Sequence, residues 1–151
     1  MTTDLPESHR DLLERPLFAH LATLRPDGSP QSSVMWFGWD GQMIRFSHTS
    51  TRQKYRNLLR DGRVSFHVQD PDNAYRTLEV RGEVVSMDPD PDATYYRYLQ
   101  QRYDLEVPVF DADVRIVIVV EPNSYVAVDG GLTESETVAL TALLNDLSAD
   151  E

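Results

Sequence analysis

Short runs of alternating apolar and polar residues fill most of this chain, and turn-forming residues separate them. Alternation of this kind is typical of β-strands that bury one face in a sheet. The pattern predicts strands over residues 18–24, 31–39, 43–47, 64–68, 75–87, 114–120 and 125–128. Pro26-Asp27-Gly28 and Asp40-Gly41 favour tight turns, so the first three strands are predicted to follow one another as a meander.

Two positions in the later strands are predicted to change the chain direction. The long run over 75–87 places Leu78, Val80 and Val84 on one face, and it is expected to bend at Gly82. Pro122 has no backbone N–H to give to a ladder, so it is expected to end the strand over 114–120.

The remaining periodic segments predict helices. Leu12 and Leu13 lie in a short N-terminal segment, residues 90–103 suit a helix, and residues 133–147 have apolar positions at helical spacing after a capping-box pattern in Thr133 and Glu136. Few helices among six or so antiparallel strands favour a mainly β fold, a small closed or partly closed barrel with peripheral helices. No linker divides the chain, so residues 1–151 are predicted to form a single domain.

Composition narrows the functional classes. The chain has 14 basic and 25 acidic residues, a net charge of −11 and no cysteine, which excludes disulfides and thiolate chemistry. Such charge repels nucleic acids and anionic membranes, so neither is an expected partner. No apolar run approaches the ~20 residues that cross a bilayer. The first residues have neither the basic nor the apolar region of a secretion signal, so the expected compartment is the cytoplasm.

Positive charge is nevertheless concentrated in one place. Residues 50–63 contain five of the 14 basic residues and one acidic residue. Tyr55, Leu58 and Leu59 have the spacing of one helical face, which predicts a short helix capped by Ser50 or Thr51 with its other positions exposed. Cations in the first turn oppose the helix dipole, whereas a bound phosphate would favour them there. An ordinary solvated face paired with carboxylates explains the same spacing, and both interpretations stay open.

Other catalytic patterns are missing from the sequence. The four histidines lack metal-ligand spacing, so no metal site is predicted, and no nucleophile elbow, P-loop or dinucleotide fingerprint occurs. No catalytic acid or base is therefore assigned. Trp36, Phe37 and Trp39 could form one wall of a pocket for a flat ligand. Trp36 and Phe37 point to opposite faces of their predicted strand, however, so one of them belongs to the core, and the core is the favoured assignment for either alone.

Several segments, taken in order, resemble a known superfamily. Residues 21–30, 34–37, 54–58, 70–76 and 79–82 are similar to those of the split β-barrel flavin and deazaflavin oxidoreductases, which include pyridoxamine 5'-phosphate oxidase. The likeness covers residues 15 to about 128 and is greatest to the branch that uses coenzyme F-420, a deazaflavin with a phosphate and an acidic glutamate tail. The acidic C-terminal segment lacks the basic and aromatic ending that binds the substrate in pyridoxamine phosphate oxidase itself.

The resemblance implies a cofactor site and a homodimer. By this resemblance, the cofactor phosphate would be held by Arg52, Lys54, Arg56 and Asn57 on the basic helix, and Ser47 and His48 at the adjacent strand end would line the same pocket. The ring system would lie along the second strand, at Gln31 and Ser33. Tyr75 would cross the dimer interface to the site of the partner subunit. Arg60 and Arg63 are candidates for the acidic tail.

The implied activity is hydride transfer from reduced coenzyme F-420 to an unsaturated organic acceptor. An FMN-dependent oxidoreductase is the alternative enzyme, since FMN offers the same phosphate to the same helix. A non-catalytic carrier or sensor of the cofactor is the alternative outside enzymes.

Overall fold

Seven β-strands dominate the computed structural model, which describes residues 2–131 and 134–149. The strands are β1 (Ala19–Leu24), β2 (Pro30–Met35), β3 (Gly38–Trp39), β4 (Ile44–Thr49), β5 (Arg63–Asp70), β6 (Asn73–Pro89) and β7 (Arg115–Val128). The α-helices are α1 (Asp11–Glu14), α2 (Gln53–Arg60), α3 (Thr94–Arg102) and α4 (Glu134–Ala149), and 3-10 turns occur at Glu7–His9 and Ala112–Val114.

The strands form one antiparallel sheet in the order β2-β1-β5-β6-β7-β4-β3. Only Trp36 and Phe37 separate β2 from β3 along the chain, although these strands lie at opposite edges of the sheet. Three residue steps span at most ~11 Å, so the two edges must come together. The sheet therefore curves into a barrel with a seam between its edges, as predicted.

The crossover at Trp36 and Phe37 corrects the predicted strand over 31–39. Phe37 is fully buried, and its backbone is held from α3, with Arg102 Nε donating to its carbonyl at 3.0 Å and its N–H donating to Tyr103 Oη at 3.1 Å. The predicted meander of the first three strands is therefore wrong. β1 pairs with β2 and β3 pairs with β4, but the two hairpins lie on opposite sides of the seam.

One hydrophobic core fills the barrel. Alternate residues of β5 and β6 point inward, including Phe66, Leu78 and Val80, and Val84 packs at the core margin as predicted. Phe46 meets Phe66 edge to face, with ring centroids 5.6 Å apart. Strands on both sides of the seam contribute to this cluster, such as β1 through Leu21 and β4 through Ile44. Apolar packing therefore holds the two sides of the seam together.

β6 and β7 are the longest strands, and they lie in the middle of the sheet between β5 and β4. Their register shifts at Arg81/Gly82 and again at Val84/Ser86, and such bulges bend a sheet. The predicted break at Pro122 is wrong, because β7 continues through it to Val128. β4 pairs with β7 only as far as Val120, so the N–H that Pro122 lacks is not required by that ladder.

The helices lie at the periphery. Both carboxylate oxygens of buried Asp90 accept backbone N–H bonds from the start of α3, at 2.9 Å from Thr94 and 3.0 Å from Tyr95. α4 confirms the predicted C-terminal helix, with exposed leucines along its length, whereas Thr133 of the expected capping box lies outside the described residues. Within the described residues, no helix is long and apolar enough to span a membrane.

Candidate functional site

The seam of the barrel opens into a cavity of about 390 Å³. No ladder joins β2 to β4 in the part of the chain that the structure describes, and α2, which follows β4, begins beside this gap. The cavity walls come from β2, the crossover, β4, the start of α2, α3 and β7; they are Ser33, Val34, Met35, Trp36, Ser47, His48, Arg52, Lys54, Tyr96, Leu99 and Arg115. Five residues predicted to bind cofactor are thus brought together: Ser33, Ser47, His48, Arg52 and Lys54.

The start of α2 differs from the prediction in its cap. Arg52, in an extended conformation, occupies the N-cap position instead of Ser50 or Thr51, and no side chain accepts a hydrogen bond from the first turn. Backbone N–H groups there lack intrahelical acceptors, and the helix dipole is positive at this end. The start of α2 is therefore suited to an anion, because no carboxylate or hydroxyl side chain of the described residues already occupies these N–H groups.

The buried face of α2 combines polar and apolar residues, which corrects the prediction in part. Lys54, Asn57 and Leu58 are buried, whereas Leu59 is 62% exposed. Asn57 Nδ2 donates to Thr23 Oγ1 at 3.1 Å and to Gln31 Oε1 at 2.8 Å, so the helix docks on β1 and β2 through hydrogen bonds as well as apolar contact.

Lys54 is the unusual member of that face. Its side chain extends to Met35, with Nζ 3.0 Å from the thioether sulfur, and no carboxylate of residues 2–131 or 134–149 lies within 4 Å of it. Burial, and secondly the nearby charge of Arg52, lower the pKa of Lys54 from 10.5 to about 8. A sulfur atom is a weak acceptor, so an anion entering the cavity would be a much better partner for this ammonium group.

His48 supplies a neutral polar group in the same cavity. Burial, followed by the charges of Lys54, Arg52 and Arg115, lowers its pKa to about 4, so the imidazole is uncharged at pH 7. Its Nε2 is buried and has no hydrogen-bond partner among the described residues, and the same holds for Ser33 Oγ. Buried polar atoms are rarely left unpaired in proteins, so two unpaired atoms in one cavity indicate a place for a ligand.

The other predicted site residues do not line this cavity. Gln31 and Asn57 bond to each other behind it, and Arg56 is exposed on α2, donating to Gln53 Oε1 at 3.0 Å. Tyr75, at the start of β6, is 75% exposed and does not reach the cavity of its own chain.

The two candidates for an acidic tail differ. Arg63 is held by Asp61, with Nη2 to Oδ2 at 2.7 Å, whereas Arg60 bonds only to the carbonyl of Leu24 and stays exposed. The Asp61 carboxylate acts on both arginines but bonds to Arg63, so Arg60 is the less compensated of the two cations.

Sequence reasoning missed the wall opposite α2. The Arg115 guanidinium lies 3.8 Å from the ring centroid of Tyr96 and forms a two-point ion pair with Asp111, at 2.9 and 3.0 Å. Trp36 stacks on Tyr103 with centroids 5.0 Å apart. Trp36 was noted as a possible wall, but Tyr96 and Arg115 lie on segments distant in sequence and have no local pattern that connects them.

A second cavity of about 340 Å³ lies between β1, β5 and β6, with apolar walls from Ala22, Leu24 and Val64. None of the described residues that line it has a buried polar atom without a partner. Arg63 and Arg81 also line it, but they are paired with Asp61 and Glu79, so the seam cavity, which holds the two unpaired buried atoms, is the better candidate site.

Comparison with known proteins agrees with this fold. A solved F-420 reductase is similar to the chain at 51% identity, covering 81% of this chain and 98% of that one, with a TM-score of 0.79. A conserved hypothetical protein of Mycobacterium tuberculosis (24% identity, 85% and 87% coverage, TM-score 0.68) and the general stress protein 26 of Bacillus anthracis (15%, 83% and 94%, 0.63) share the fold. No curated protein matches the sequence.

The sequence profile of a family described as pyridoxamine 5'-phosphate oxidase matches residues 5–127. That range includes all seven strands but for the last residue of β7, and every residue that lines the seam cavity. The chain therefore belongs to the pyridoxamine 5'-phosphate oxidase family of split β-barrel proteins.

Proposed function

We propose that this protein is a homodimeric oxidoreductase that binds coenzyme F-420 in the seam cavity and reduces an unsaturated organic acceptor. The observation that carries the proposal is Lys54, a buried ammonium group that has no carboxylate partner in the described part of the chain and lies beside an uncapped helix start. The 51% identity to an F-420 reductase favours a deazaflavin over other anionic ligands.

The residues of the cavity fit the phosphate of such a cofactor. Arg52 and Lys54 bring two positive charges to the start of α2, where free backbone N–H groups point in the same direction. Exposed Arg56 lies one turn further along the helix and can add a contact from outside the cavity. Charge-assisted hydrogen bonds of this kind each contribute about 1.5–3 kcal/mol.

Ser33 and His48 fit the uncharged, hydrogen-bonding edge of a flavin-like ring. Their unpaired atoms can donate or accept, and the neutral state of His48 at pH 7 avoids placing a further cation beside Lys54. The bound deazaflavin would supply the hydride, and the protein would hold it and exclude competing reactions. Protonation of the product can come from solvent, since no side chain is placed as a necessary acid.

A second subunit would complete the site in this proposal. Tyr75 is exposed at the end of the barrel away from its own cavity, which suits a residue that reaches the cavity of a partner. Light scattering should then give about twice the chain mass of 17.2 kDa. Tyr75→Ala should weaken cofactor binding without changing the stability of the monomer fold.

The decisive measurement is a competition titration of coenzyme F-420 against FMN by calorimetry at physiological salt. Tighter binding of F-420 is expected, because Arg60 retains its charge for the acidic tail. Preferential binding of FMN would support the alternative enzyme and overturn the deazaflavin assignment. The same titration on Arg97→Ala, which removes an exposed cation from α3, shows how much affinity depends on net positive charge alone.

Turnover separates an enzyme from a carrier. The protein should reoxidise reduced F-420 only in the presence of an unsaturated acceptor. The loss of the absorption spectrum of the reduced cofactor measures this reaction. Tight binding without reoxidation across a panel of enones, quinones and conjugated acids would favour the carrier or sensor.

A further inference from the structure

The C-terminal helix α4 is an addition to the barrel that this family shares. The family match ends at residue 127, and the similar F-420 reductase, matched over 98% of its own length, covers 81% of this chain. Four leucines follow one another along α4 at i, i+3, i+4 and i+7, which places them on one face: Leu140, Leu143, Leu144 and Leu147. These side chains are 44–64% exposed. The barrel of the same chain therefore leaves this leucine face uncovered.

Charge limits what can cover the leucine face. Residues 129–151 contain six acidic residues and no basic residue. Two copies of this segment brought side by side would repel each other, which disfavours a pair of α4 helices. The complementary partner is a basic surface that also offers apolar contact.

The outer face of α2 has this chemistry. Four exposed residues lie on that side of the helix and are named the arginine face: Arg52, Arg56, Leu59 and Arg60. Within residues 2–131 and 134–149, no carboxylate lies within 4 Å of the three arginines. Arg56 is an i,i+4 neighbour of both other arginines, so an acidic partner would relieve repulsion between like charges. Leu59, 62% exposed, supplies the apolar contact.

A cavity of about 440 Å³ extends the arginine face toward the turn between β1 and β2. Its walls are Arg25, Pro26, Asp27 and Gln53, and Gln53 Oε1 accepts a hydrogen bond from Arg56 at 3.0 Å. Pro26 and the aliphatic stems of Arg25 and Gln53 offer apolar surface. The cavity can therefore take leucine side chains from a helix that lies on the arginine face.

We propose that α4 of one subunit packs on the arginine face of a second copy of this chain. Its leucine face would cover Leu59 and the adjoining cavity, and its acidic segment would lie against Arg56 and Arg60. A two-fold dimer makes every contact twice, so the two subunits would exchange their C-terminal helices. This inference rests on the homodimer of the proposed function and adds a regulation of its site.

The regulation follows from which cations α4 covers. Arg56 and Arg60 are the residues proposed to meet the phosphate and the acidic tail of the cofactor. An acidic helix on the same arginines competes with an acidic ligand, so α4 acts as a displaceable cover that lowers cofactor affinity. Relatives that match only the barrel would lack this competition.

Cross-linking without cofactor tests the contact, because the chain has no cysteine of its own. Leu59→Cys and Leu143→Cys chains with different tags are co-expressed, and the dimer that carries both tags is treated with a short bismaleimide. A product of about twice the chain mass of 17.2 kDa is expected. Asn145→Cys in place of Leu143→Cys, on the opposite side of α4, is the control and should give little product.

A second measurement connects the contact to the competition. Leu140→Ser combined with Leu144→Ser leaves the barrel intact, because both side chains are exposed. This change should abolish the cross-link and tighten binding of γ-linked tetraglutamate, the probe for the acidic tail, about tenfold in calorimetry. Val138→Ser removes an exposed apolar side chain from the opposite side of α4 and should behave as wild type.

The results that overturn the proposal are distinct from those that overturn the proposed function. Absence of the product between α2 and α4 overturns it, and so does a product from Leu143→Cys alone, which would mean that two α4 helices pair. An unchanged yield after the double serine change, or tetraglutamate affinity that is equal or absent in both proteins, also overturns it. A dimer in light scattering without the cross-link refutes only this inference, and the F-420 titration reports separately on the cofactor.

Discussion

Replacing Lys54 by methionine should stabilise the protein in the absence of cofactor. Lys54 is 4% exposed, and among the residues that the structure describes its one hydrogen-bond acceptor is the sulfur of Met35. Burial lowers the pKa of Lys54 from 10.5 to about 8. At about 1.4 kcal/mol for each tenfold change in the ionisation constant, holding this charge in the folded chain lowers the free energy of unfolding by roughly 3 kcal/mol. Methionine has a similar length and no charge, so most of this cost should disappear.

The pH dependence of that stabilisation identifies its cause. Below pH 8 the lysine is charged in both the folded and the unfolded chain, so the full cost is present. Between pH 8 and 10.5 the folded chain loses this proton while the unfolded chain keeps it, so wild-type stability gains with rising pH. The advantage of Lys54→Met should therefore fall from roughly 3 kcal/mol at pH 7 to about 1 kcal/mol at pH 9.5.

Urea unfolding of both proteins at the two pH values measures the effect. Arg56→Met, an exposed change on the same helix, is the matched control and should leave stability nearly unchanged. Cofactor binding should respond in the opposite sense, because Lys54→Met removes the buried cation. The reasoning fails if Lys54→Met is less stable than wild type at pH 7, or if its advantage is the same at both pH values.

Three further outcomes follow from the same site. Arg56→Ala should leave the melting temperature unchanged and raise the cofactor dissociation constant roughly tenfold to hundredfold, an effect that added salt reduces; wild-type affinity would mean that Arg56 only belongs to a solvated face. Asn57→Ala should cost about 2 kcal/mol in urea unfolding, since Thr23 and Gln31 lose a buried partner, and no loss would contradict its docking role. Because an anion favours protonated Lys54, cofactor affinity measured by calorimetry should decrease as pH rises above 8, and a flat profile up to pH 10 would argue against contact with Lys54.

The sequence predicted the barrel because its strands bury alternate residues. Val64, Phe66 and Val68 show this pattern without interruption, and the structure confirms it. The crossover was not predictable in the same way. Trp36 and Phe37 continue the alternation of β2, but hydrogen bonds with Arg102 and Tyr103, far along the chain, hold the Phe37 backbone, and its ring packs in the core against Phe66.

The candidate site, like the fold, could be predicted from the sequence only in part. Charge density predicts an anion site near α2, and five of the residues predicted to bind cofactor line one cavity. The buried face of α2 was predicted in part: Leu58 is buried and Tyr55 packs against the core, but helical spacing of apolar residues favoured the exposed Leu59 over Lys54 and Asn57. A buried lysine gives no apolar signal in a sequence, and its burial depends on the strands beneath it.

The seam between β2 and β4 has a consequence for how readily the protein can change its ligands. Elsewhere in the barrel, widening the wall would break backbone hydrogen bonds, whereas the described residues of this gap are connected by side chains and by one two-residue crossover. Substitutions at Val34 or Leu99 can therefore enlarge or reshape the cavity without disturbing any ladder. Acceptor preference should diverge quickly among relatives that keep the same barrel and the same cation at the start of α2.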